Sequence, residues 1–234
     1  MLTLMESGQA QGALGRARTL HEIAVAAVLI SEAAQNDPST SLAQRFLDHR
    51  AAIACWDAIQ YQKVAPAIGY DPFTDEEMVE IEAEYEGVRA KYGKEFCRDN
   101  GWAATLDGGK APTVRRMEEL AGLSHRRSHY SWSSHEVHAD SQGWHQNISE
   151  WGGILFRSIE RSIDGLIDPA HMAAIALNNV TLSMLMSRTG GPTPENVVAM
   201  NVMTKLVDDV GNRFLEAHEK VERLRQTSNK VPRF

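Results

Sequence analysis

The chain has 234 residues, 43% of them hydrophobic and 24% charged, with a formal net charge of −7 and a pI near 5.7. That length suits one large domain or two small ones with a proper core, and the acidic balance excludes a protein that coats nucleic acid through bulk charge. Arginine outnumbers lysine 17 to 7, which is compatible with a local groove of fixed phosphate or carboxylate contacts.

Every predicted element is a helix. The first is expected from about Glu6 to Gln35, stopped by Asn36, Asp37 and Pro38, with Leu20, Ile23, Ala24, Ala27, Val28 and Ile30 near the 3.6-residue period. Its apolar run, IAVAAVLI, is far shorter than the roughly 20 residues of a membrane span. The N-terminus lacks the basic and apolar regions of a signal peptide, so no membrane partner and a cytoplasmic location are expected. The second helix is predicted over about 40–64, with Leu42, Phe46, Leu47, Ile53, Ala54 and Ile59 facing inward. Pro66, Gly69 and Pro72 break the chain. Thr74 and Glu77 then form a capping box that starts a third helix, predicted to reach Arg98. A loop over 101–112 leads to a short helix over 113–122.

A histidine-rich helix follows, from about Ser124 to Ala139. Beyond a loop, helices are predicted over 149–166, 169–188 and 194–225, with a basic tail at 226–234. No strand pattern is evident. The fold class read from this is all-α, a bundle of seven to eight helices in a single domain over 1–234. Its core is expected at about 5–166, and its C-terminal helices, 169–225, are expected as an extension or a homodimer surface. Cys55 and Cys97 are not in a CxxC pair, which argues against a zinc knuckle and suits a reducing compartment.

Five of the nine histidines lie between residues 125 and 145. At about 100° per residue, Tyr130, Ser134 and His138 share one stripe of the helix, with Arg127 in the same arc. His125 and His129 occupy another face, and His135 points elsewhere. A stripe of donors with one titratable imidazole suits anion binding or acid–base work near neutral pH. On the first helix Arg18 and Glu22 are spaced i, i+4 beside the apolar run, a pairing that often orients a site. On the second, Arg45 and His49 share a face.

Other chemistries find little support. There is no Glu-x-x-His for a di-iron bundle, only Asp168 and His171 in DPAH. His135 and His138 have i, i+3 spacing but no HExxH context. No P-loop or G-x-S-x-G elbow is present. Neither a metal nor a cofactor is expected.

RTLHE on the early helix, AQRFLDH on the next and the later Y-x3-S-x3-H-A resemble a bacterial all-helical family catalogued as a domain of unknown function, over roughly residues 14–140. The resemblance implies that Arg18, Glu22, Arg45, Tyr130, Ser134 and His138 form one shared site. More distantly the chain is similar to the HEPN group of helical proteins, many of them metal-independent ribonucleases of toxin or phage-defence systems. Their spacing of arginine to histidine occurs here at Arg16–His21 and Arg213–His218, no more often than chance. The expectation is therefore an enzyme acting on RNA or another phosphate-bearing ligand. His138 would be its acid or base, Tyr130 and Ser134 would position it, Glu22 would orient an arginine, and Arg18, Arg45, Arg127 and His49 would bind substrate. The alternative is an interaction or regulatory module in which the stripe is a structural hydrogen-bond network.

Overall fold

The computed structural model describes residues 1–37, 41–138, 141, 148–151, 154–157, 164–187 and 191–228. It is all-α, as the sequence predicted: α1 Leu2–Glu6, α2 Ala10–Asn36, α3 Leu42–Val64, α4 Asp75–Tyr92, α5 Val114–Leu120, α6 Arg127–Val137, α7 Ile167–Met186 and α8 Pro194–Ser228. The chain divides into two compact units. The first comprises Met1–Val28 and His125–Phe234, and the second Leu29–Ser124.

In the first unit the small residues of α2 make the tight seam. Ala13, Ala17 and Ala24 are fully buried, and Leu14 and Ala17 pack on Met172 of α7. α7 lies along α8, where the His171 ring sits against Gly211. Two departures from the sequence reading fall here. The expected helix over 149–166 begins instead as an antiparallel hairpin, β1 Ile148–Trp151 and β2 Ile154–Arg157, with Trp151 opposite Ile154. Residues 152–153 and 158–163 of the expected helix lie outside the described residues. The histidine-rich helix also stops early. α6 ends at Val137, and His138 is its C-cap at φ −104°, ψ 66°, so the wheel that placed His138 on the stripe does not extend to it.

In the second unit Thr74 and Glu77 form the expected capping box: Glu77 N donates to Thr74 Oγ1 and Thr74 N to Glu77 Oε2. α4 ends at Tyr92, before the expected Arg98, because Gly93 takes φ 86°. Short 3-10 turns follow over Lys94–Cys97 and Gly101–Asp107.

The inward face of α3 also differs from the expected one. Leu42 is buried as expected, but Phe46, Leu47, Ile53 and Ile59 are exposed, and Arg45, His49, Ala52, Cys55 and Ala58 are buried instead. These buried positions recur at i+3 and i+4, so the period was right and the phase was not. The alanines admit close neighbours, and main-chain carbonyls of the 3-10 segments satisfy the two polar side chains.

Candidate functional site

α2 and α6 bring four of the predicted site residues together in the first unit. Arg18 Nε donates to Ser134 Oγ at 3.1 Å, and Arg18 Nη2 donates to Tyr130 Oη at 2.8 Å. Tyr130 Oη donates in turn to Glu22 Oε1 at 2.7 Å, and Glu22 pairs with Arg18 at 3.1 Å. The Ser134 hydroxyl donates back to Tyr130 O. The i, i+4 spacings on both helices produce this arrangement, since each pair lies on one face. Two guanidinium carbons stand near the Tyr130 ring, Arg18 at 4.9 Å and Arg127 at 4.8 Å from its centroid, a favourable cation–π geometry.

Tyr130 is only 6% exposed. Burial first, and then the Glu22 carboxylate, push its hydroxyl above the ordinary phenol range. It is therefore a neutral donor at physiological pH. The network is half-open, with the side chains of Arg18 and Glu22 20% and 36% exposed.

His138 stands outside this arrangement. It is exposed, and its backbone N–H completes the last turn of α6 on Ser134 O. Arg45 and His49 lie in the other unit, each bound to main chain. Arg45 donates to Trp102 O at 3.0 Å and Gly101 O at 3.4 Å, beneath the rings of Tyr92 and Phe96. His49 Nε2 donates to Arg98 O at 3.0 Å, edge-on to Phe96. These contacts hold the 3-10 segments against α3.

A second cluster, which the sequence reading did not assemble, adjoins the network. The ring of His21, buried on α2, lies 5.7 Å from that of Tyr130. His21 also lines a cavity of about 20 Å³ with Arg126, His129, Asp168, His171, Met172 and Ile175, room for about one water-sized group. Arg126 Nε and His129 Nδ1 are shielded from solvent and have no hydrogen-bond partner among the described residues. Unsatisfied polar atoms in such a setting are costly, and each calls for an explanation. Burial, and then Arg126 and His129, hold His171 below its ordinary value, against the opposing pull of Asp208 and Asp168. Three imidazoles, a guanidinium and a carboxylate thus converge. His125, by contrast, is exposed, and His145 lies outside the described residues. Among the described residues, no three His, Cys, Asp or Glu side chains form a group able to hold a metal ion.

A model of a family of unknown function, DUF5677, matches residues 1–154. The chain belongs to that family. No curated protein and no solved structure matches it. The DUF5677 match takes in the whole Arg18–Glu22–Tyr130–Ser134 network and three of the cavity residues, His21, Arg126 and His129. Asp168 and His171 lie beyond it.

Two of the cavity residues carried a sequence signal that was read differently: His129 was set on another face from the stripe, and His171 was seen only as an incomplete di-iron motif. Only tertiary packing, which lines one cavity with residues of α2, α6 and α7, relates the two, and no spacing in the sequence encodes that.

Proposed function

We propose that this protein is a metal-independent enzyme acting on a phosphate-bearing substrate, RNA being the class, with its centre in the first unit. The cavity that gathers His21, His129 and His171 beside Arg126 is the observation that supports this reading. Scission of RNA needs a base for the 2′-hydroxyl, an acid for the leaving 5′-oxygen and a cation for the charge that builds on phosphorus. Two imidazoles and a guanidinium supply those groups. The 2′-oxygen bonds to phosphorus as the P–O5′ bond breaks; one imidazole takes the 2′-proton and another protonates O5′.

In this reading the acid–base work assigned from sequence to His138 belongs to the cavity imidazoles. Arg18, Glu22, Tyr130 and Ser134 are positioning residues that fix α2 on α6, so that His21 and His129 share one wall. Arg127, over the Tyr130 ring, is assigned in this reading to contact with the strand. A role in toxicity or phage defence follows if the cleaved RNA is cellular. The experiment is incubation of the full chain with RNA in EDTA, alongside His129→Ala and His171→Ala. Cleavage by the wild type, lost by at least a hundredfold in either variant, supports the reading. Cleavage that survives both substitutions overturns it.

One observation favours the alternative of a non-catalytic interaction or regulatory module: the network largely satisfies itself, with Glu22 neutralising Arg18. On that reading the same variants lower stability and no RNA is cut. Val198, Val202 and Leu206, exposed at i, i+4 spacing on α8, support pairing with a second copy through the C-terminal helices, which sedimentation of the full chain tests. Among the described residues no helix is long and apolar enough to cross a membrane.

A further inference from the structure

The charges around the cavity are unusual for a site meant to take an anion. The side chains that line it or act on it come from every element packed there: His21 from α2, Arg126 at the head of α6, His129 from α6, Asp168 and His171 from α7, and Asp208 from α8. With the imidazoles neutral, the one guanidinium of the lining is offset by its one carboxylate, Asp168, while Asp208 acts on His171 from beside the lining, so a phosphate group meets no net attraction. Each imidazole that takes a proton adds one positive charge. One such proton leaves the lining net positive, with two polar atoms, Arg126 Nε and His129 Nδ1, without partners among the described residues.

We propose that this cavity is a proton-gated anion subsite: it admits one oxygen atom of a dianionic group, such as a phosphate, only when its imidazoles take up protons. The proposal rests on the reading that the first unit handles phosphate-bearing ligands, and adds the regulation of that site. His129 Nδ1 donates in the neutral Nδ1–H tautomer and in the charged ring alike, so protonation supplies the charge and leaves that hydrogen bond in place. Asp168 sets the gate, since its carboxylate offsets the Arg126 guanidinium in the lining, and Asp208 acts on His171 from beside it. The lowered value of His171 agrees with this, because the ring stays neutral until the medium is acid.

The probe is sulfate, which keeps its double charge from pH 5.5 to pH 8, so any change in affinity belongs to the protein. Calorimetric titration of the full chain, in buffers of differing ionisation enthalpy, reads affinity and proton uptake together. The expected result is binding about tenfold tighter at pH 6 than at pH 8, the effect of one added charge screened by solvent, with net proton uptake. Asp168→Asn and, separately, Asp208→Asn remove a facing carboxylate and strengthen binding at pH 8. His129→Gln abolishes the pH 6 gain while the circular dichroism stays that of the wild type. Affinity that is the same at both pH values, or no binding at pH 6 by wild type and both asparagine variants, overturns the proposal. Sulfate binding with proton uptake in a protein that cuts no RNA overturns the ribonuclease reading and leaves the gate standing. RNA cleavage without sulfate binding does the reverse.

Discussion

The hydroxyl of Tyr130, buried on α6, lies 2.8 Å from Arg18 Nη2 on α2, and it passes its own proton toward Glu22 at 2.7 Å. One side chain thus accepts from a cation and donates to the carboxylate that pairs with that cation. Tyr130→Phe leaves Arg18 and Glu22 each short of a partner in a half-buried setting. The expected loss is about 1–3 kcal/mol in the first unit, read by chemical denaturation. Glu22→Gln keeps an acceptor for the phenol and costs less. Equal stability of Tyr130→Phe and wild type would mean that water replaces the hydroxyl without penalty.

His171 makes the first unit sensitive to acid. Its ordinary value is 6.5, and in the fold it lies lower. The folded state thus favours the neutral ring. The stability this represents is whole above pH 6.5 and drains as pH falls through the folded value, because the unfolded chain binds the proton first. Thermal unfolding of the wild type is expected to weaken between pH 7 and pH 5, and of His171→Gln to weaken less. Sulfate added at pH 5 restores part of the loss in the wild type. Parallel pH profiles for the two proteins would remove His171 from the account.

Arg45 was predicted as a substrate ligand, and its surroundings give it a measurable structural task. Arg45→Met strips the partner from Gly101 O and Trp102 O and is expected to cost about 2–4 kcal/mol in the second unit. Arg45→Lys does not recover this, since one ammonium cannot reproduce the planar fork between two carbonyls and two rings. Gly101→Ala tests the same seam from the other side. A Cβ there would collide with the main-chain oxygens of Phe96 and Glu95, so a loss of more than about 3 kcal/mol is expected. Both variants should leave RNA cleavage at low temperature unchanged. A selective loss of cleavage in folded Arg45→Lys would return Arg45 to the substrate.

The local features of this fold were legible in the sequence wherever neighbours in sequence decide them. The capping box at Thr74 and Glu77 and the i, i+4 pairs Arg18–Glu22 and Tyr130–Ser134 all appear at their predicted places. The phase of α3 was not legible, because hydrophobicity alone cannot show that carbonyls of a later segment will satisfy Arg45 and His49. The pairing of Ile148–Trp151 with Ile154–Arg157 was not legible, because two four-residue strands are too short to show a period against the expected helix over 149–166. His138 was placed by extending a helix one residue beyond its last turn. The cavity was beyond sequence reading, since His129 and His171 meet only through tertiary packing.

The central claim is that imidazoles of the first unit cut RNA through its own 2′-hydroxyl. The most direct measurement uses a short RNA that the full chain cleaves in EDTA, with product ends identified by mass and with a copy carrying a single 2′-deoxy substitution at the cut. The account predicts a 2′,3′-cyclic phosphate end in the all-RNA strand, no cut at the deoxy position, and neither product with His171→Ala. Cleavage across the 2′-deoxy position, or an unchanged cyclic product from His171→Ala, would contradict it.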